Sequence, residues 1–392
     1  MADGGHLFSR RCPWVLQANR LAQALAARRA AAGRVLDLTL SNPTQAGLEY
    51  PDGIARALAR VGLPTYQPEP LGLQRARVAV QGYYRDRGCR VDADQILLTA
   101  STSEAYGFLF KLLADPGDEV LVPRPSYPLF EFLAGLEGVA VRPYPLRYEE
   151  GWEIEVDQLA ATLGARSRAL VLVHPNNPTG SFVKRRERAG VQELARECGL
   201  ALVVDEVFGD YGLADASEQA GSFAGSSGVL TFVLSGLSKV VGLPQLKLSW
   251  VVVQGPEEQR QEALARLELI ADTYLSVAAP VQEALPELLG LRDQVQSRIC
   301  RRVLGNLRSA QACLSRTRGK RLLRCEGGWY AVLELGRVDE EELVLKLLQE
   351  DGVLVHPGYF FDFPCEGYVV LSLLVHEAEF SEGLELLLRR VS

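Results

Sequence analysis

The chain has 392 residues, 47% of them hydrophobic and 23% charged, with a net charge of -7 at neutral pH. This is ordinary globular composition at a length that exceeds one simple core, so two domains or one large α/β unit is expected. The acidic balance and the lack of a concentrated basic stripe exclude a nucleic-acid binder. No apolar run approaches the roughly 20 residues of a membrane span.

In chain order, "MADGGHLFSRRCPW" lacks the apolar core of a signal peptide. The first 46 residues then hold an alanine-rich helix and the extended "LDLTLSNPT". From about residue 95, β-rich runs alternate with helices. "QILLTA" is followed by "TSEAYGFLFKLLA", whose apolar spacing predicts a helix. "DEVLVP", "VAVRPYP", "RALVLVHP", "LALVVDEVF", "VLTFVLS" and "KLSWVVV" come next. Most of these are continuous apolar runs, as expected of strands covered on both faces. They predict an α/β fold around an open, mostly parallel, seven-stranded sheet between helices. Long helices follow, through about residue 318, and then a smaller α+β region. That region holds "GWYAVLEL", a helix over "DEEELVLKLLQEDG", "VLVHPG", "YVVLSLL" and a final helix. The expected division is a large domain over 47–285 and a small domain built from both termini, 1–46 and 286–392. "GSFAGSSG" (221–228) reads as a flexible loop.

Seven scattered cysteines without a CxxC pair suggest reduced thiols and a cytoplasmic location. The sequence has no GxGxxG, P-loop, GxSxG or HExxH, and its four histidines are too dispersed to suggest a metal site.

Ligands of open α/β sheets bind at the carboxyl ends of strands, and here several strands end in polar residues. After "QILLTA" stand Ser101, Thr102 and Ser103, either a helix cap or an anion site at a helix N-terminus. "HPNNPTG" reads as a turn, yet it adds two amide side chains, and Asn177-Pro178 is a bond that can adopt the cis form. Asp205 closes the strand "LALVV" and Lys239 follows "TFVLS" within "SGLSKVVG". A lysine in a poorly hydrated pocket has a lowered pKa and can form Schiff bases with carbonyl compounds. A carboxylate for a pyridinium nitrogen and an anion cradle for a phosphate complete what pyridoxal phosphate requires.

With "TASTSEA", "PSYPLF", "HPNNPTG", "DEVF" and "SGLSK", the chain resembles the class I/II aminotransferases, fold type I pyridoxal-phosphate enzymes, over nearly its whole length. The resemblance implies that Lys239 forms the Schiff base with the cofactor and later carries the Cα proton. It implies that Asp205 keeps the ring nitrogen protonated, that Asn177 meets the ring 3-hydroxyl and that Tyr127 stacks on the ring. Ser101, Thr102 and Ser103 lie where the family cradles the phosphate, and Ser238 is expected among the cofactor-binding residues. Tyr66 in "TYQPEPLG" resembles a tyrosine that reaches the phosphate of a neighbouring subunit, which implies a homodimer with shared sites.

The sequence departs from the family pattern at several places. Phe208 stands where a tyrosine usually donates to the 3-hydroxyl, Gly236 replaces a commoner serine, and Lys247 replaces a phosphate-binding arginine. Near the C-terminus "GYVVLSLL" puts Val370 where the family has the arginine that clamps the substrate carboxylate. A charge-assisted fork contributes a few kcal/mol, so another cation does this work, the substrate lacks a conventional α-carboxylate, or the chain binds the cofactor for something other than transamination. Aspartate and glutamate are expected to be poor donors. The expected reaction moves an amino group between a small-molecule donor and a keto or aldehyde acceptor. A pyridoxal-phosphate lyase or decarboxylase is the alternative, because Lys239 and Asp205 serve any carbanion chemistry. A cofactor-sensing DNA-binding regulator is disfavoured by the short, weakly basic segment ahead of the recognisable part.

Overall fold

The computed structural model describes residues 7–14, 16–59, 66–213, 217–225 and 228–392. Residues 1–6, which belong to the N-terminal stretch read above, lie outside the described residues, as do 226–227 of the Gly/Ser-rich stretch. The rest of that stretch is not a free loop. Phe223 is fully buried, and the Ser222 hydroxyl and the Phe223 N–H donate to Glu206, so a buried carboxylate fixes the turn.

The strands are β1 (Leu36–Asp37), β2 (Ile96–Thr99), β3 (Glu119–Arg124), β4 (Ala140–Tyr148), β5 (Trp152–Ile154), β6 (Ser167–Val173) and β7 (Ala201–Asp205). They continue with β8 (Thr231–Gly236), β9 (Ser249–Gln254), β10 (Arg321–Leu322), β11 (Tyr330–Glu334), β12 (Val353–Leu354), β13 (His356–Pro357) and β14 (Tyr368–Ser372). The large sheet has the order β2-β9-β8-β7-β6-β3-β4-β5. Strands β4, β3, β6, β7 and β8 run parallel, whereas β9 is antiparallel to both of its neighbours. The sheet thus has eight strands rather than the expected seven. The addition is β5, an edge strand of 3 residues that folds back antiparallel on β4. Its run is too short and too mixed to show a strand period in sequence.

Alternate residues of the central strands feed two cores. Leu170, Leu172, Leu202, Val204 and Val233 join one cluster, while Val171, Val173, Val203, Phe232 and Leu234 join the other. Each fully buried aliphatic side chain contributes about 1.5–3 kcal/mol, and burial of both faces is why the runs are continuous rather than alternating. Helices Arg20–Ala30, Thr102–Leu113, Ala279–Gly290, Arg292–Leu314 and Glu377–Val391 form where the apolar spacing places them.

A four-stranded antiparallel sheet, β10-β11-β14-β13, holds the C-terminal segment. Strand β1 pairs in parallel with β12, Leu36 opposite Val353, so segments from both ends of the chain share one element. Among the described residues, no helix is long and apolar enough to cross a membrane.

Candidate active site

The parallel strands β6, β7 and β8 end side by side at one cavity of about 410 Å³. Asp205 is the last residue of β7 and remains buried. One of its oxygens accepts from the Val207 N–H at 3.0 Å and the other from the Tyr106 hydroxyl at 3.1 Å. Burial pushes its carboxyl up to about 6, and these two donors and Lys239 pull the other way.

Lys239 lies in the short helical turn Leu237–Val240 directly after β8. The Tyr211 hydroxyl donates to the Lys239 carbonyl at 2.7 Å, and the Gln296 amide donates to the Val240 carbonyl at 2.9 Å, so the turn is tied from outside. The amine stands 4.6 Å from the Trp329 ring centre and 5.1 Å from that of Phe208. Burial draws it down to about 8, with Asp205 opposing. Gly236, just before the turn, is required by packing: a side chain there would overlap its cross-strand neighbour Ser249.

Thr102 and Ser103 begin the helix Thr102–Leu113 and line the same cavity. Ser101 does not line it; as the helix N-cap, its hydroxyl accepts from the Glu104 N–H at 3.1 Å. First-turn N–H groups of a helix lack partners within the helix and offer donors to an anion. Tyr127, Asn177, Phe208 and Ser238 also line the cavity. The Asn177–Pro178 peptide is cis.

Two expected residues lie elsewhere. Lys247 is exposed, in a left-handed conformation (φ 49) after the short turn Pro244–Leu246, and is not part of the cavity wall. It belongs to the turn that returns the chain to β9, which explains its outward placement. Tyr66 is 77% exposed and lines a different cavity with Gly72 and Gln282.

Whether pyridoxal phosphate fits is decided by Asn177, whose buried Oδ1 has no hydrogen-bond partner within the chain. A buried acceptor left open on the cavity wall is available to a ligand hydroxyl. With a carboxylate, an amine and free helix N–H groups around it, the donor set matches the cofactor's ring, aldehyde and phosphate.

The family model described as "Aminotransferase class I and II" matches residues 34–385. The chain belongs to the class I and II aminotransferases. It is therefore a pyridoxal-phosphate-dependent aminotransferase. Among curated relatives, the alanine aminotransferase of Mycobacterium tuberculosis is 29% identical over 372 residues, covering 92% of this chain and 86% of the relative. The glutamate-pyruvate aminotransferase of Haemophilus influenzae is 27% identical, covering 92% and 91%. Among solved structures, the alanine aminotransferase of Pyrococcus furiosus superposes with a TM-score of 0.89 at 23% identity, covering 98% and 99%.

Several residues of this aminotransferase site carried no readable signal. Tyr106 lies four positions beyond Thr102 on one helix face, a spacing that could have marked it. Trp329, Tyr330, Ser41 and His356 reach the site from the terminal segments, where only the fold brings them near Lys239.

Proposed function

We propose that Lys239 and Asp205 carry the chemistry of amino transfer and that Asn177, Tyr127, Phe208, Ser238, Thr102 and Ser103 hold the cofactor. The observation that carries this reading is the convergence of Lys239, Asp205 and the unsatisfied Asn177 amide at adjacent strand ends. When bound, the cofactor supplies an electron sink for the substrate's Cα. The residues do the remaining work. Lys239 Nζ, drawn down to about 8, has a basic fraction near neutral pH and can take up and return the Cα proton. Asp205 would hold the proton on the cofactor's ring nitrogen, with Tyr106 fixing the carboxylate's orientation. The Thr102 and Ser103 N–H groups would take the phosphate, and the rings of Tyr127 and Phe208 would confine the cofactor.

The names of the relatives, alanine and glutamate-pyruvate aminotransferases, support small α-amino acids and keto acids as substrates. A cavity of about 410 Å³ that must hold cofactor and substrate together supports the same size class. The exposed Tyr66 supports a homodimer in which it serves the neighbouring site, and the free cysteines support the cytoplasm. The 47–285 and 1–46/286–392 division is kept as a proposal, supported by the pairing of β1 with β12. The test is Lys239→Ala: the fold should persist while turnover and the covalent link to the cofactor are lost. Turnover near wild type would refute the assignment.

A further inference from the structure

Val370 is fully buried on β14, directly opposite His356 on β13. Opposed residues of an antiparallel pair project from the same face. His356 lines the active cavity, so its ring occupies the face along which a long side chain at 370 would have to extend. The ring is held edge-on by Phe361 at 5.6 Å. Among the described residues lining the cavity, Lys239 and His356 are the only side chains able to carry positive charge.

The surroundings are suited to an anion. Ser41 and Tyr330 bring two hydroxyls to the same cavity. Asp37 on β1 favours the charged ring, while burial holds the imidazole below its usual range. Tyr330 on β11, Tyr127 after β3, Tyr106 on the helix Thr102–Leu113, and Lys239 and Asp205 at the strand ends are the other titratable groups on the cavity wall. Glu340, on the helix behind β13, is occupied by the N–H groups of Tyr359, Gly367 and Tyr368. An arriving carboxylate would raise the imidazole's proton affinity and create its own cation.

We propose that His356, together with the hydroxyls of Ser41 and Tyr330, receives the α-carboxylate of the amino donor and is the residue that selects α-amino acids over simple amines. This rests on the amino-transfer reading above. A single imidazole offers one charged contact rather than an arginine fork, so the preference is real but shallower.

The test pairs several α-amino acids with the amines that lack only their carboxylate and measures kcat/KM for cofactor-loaded wild type, His356→Phe and His356→Gln. Wild type should favour the amino acids. His356→Phe should cut that ratio by about 10- to 100-fold, mainly through KM, while turnover of the amines changes little. His356→Gln, which keeps a hydrogen-bonding side chain, should fall between them and covers the case in which the phenylalanine variant does not fold. Variants that keep the wild-type ratio overturn the proposal alone, as does a wild type that prefers amines. A loaded wild type that turns over neither class overturns the amino-transfer reading as well.

Discussion

The two ends of the active cavity are made in different ways. The end proposed for the cofactor lies where β6, β7 and β8 of one parallel sheet finish side by side, with Asp205 closing β7 and Asn177 and Lys239 in the segments that follow β6 and β8. The other end, Ser41, Tyr330, His356, Phe360 and Phe361, is assembled from short strands and loops of the two terminal segments. A rigid sheet fixes the groups that chemistry needs at set positions. Residues on separate short elements can exchange a fork-shaped cation for an imidazole without disturbing that sheet. Substitutions at the first end should therefore act on kcat, and at the second on KM and selectivity.

The largest effect should come from Lys239→Ala, which removes the group proposed to move the proton. A loss of about 10⁴-fold in kcat is expected, with the circular-dichroism spectrum unchanged. Asp205→Asn should follow, at about 10²–10³-fold in kcat with cofactor retained, because the proposed partner of the ring nitrogen loses its charge. A KM-only phenotype at Asp205 would erase the distinction between the ends.

Tyr106→Phe is a milder probe of the first end. The hydroxyl's bond to Asp205 favours the carboxylate, so its loss should raise the Asp205 carboxyl above about 6 and lower kcat by about tenfold or less. Gly236→Ser would overlap Ser249 and should cost about 1–3 kcal/mol in urea unfolding. A neutral result would mean that the close approach of β8 and β9 is not needed to place Lys239.

The smallest effect is one of pH. Between about 8 and the ordinary lysine value, the folded chain binds fewer protons at Lys239 than the unfolded chain. Burying the ammonium therefore opposes folding below about 8, and that cost is relieved as pH rises. Lys239→Met should raise the urea midpoint of the cofactor-free protein at pH 7, with a smaller gain at pH 10. An equal gain at both would place the amine in water.

The contrast also explains what could be read from the sequence. Strands covered on both faces leave continuous apolar runs, and a lysine or aspartate closing such a run stands out. Asp205 and Lys239 stand out in the sequence for that reason, and Asn177 as an amide in the turn after β6. Ser101 was legible in both senses, and the cap is the one its hydroxyl takes. Strand β5 was too short for its period to show, and Lys247 kept the expected residue number but faces outward. In sequence His356 shows only as part of a strand, because its meaning depends on its cross-strand neighbour Val370 and on Asp37 at the other end of the chain.

The most direct test of the central claim uses the six lysines of the chain as competitors for one covalent mark. Borohydride reduction of the cofactor-loaded protein, followed by proteolysis and mass spectrometry, should place a single pyridoxyl group on Lys239. A label on exposed Lys247, or one spread over several lysines, would contradict the account.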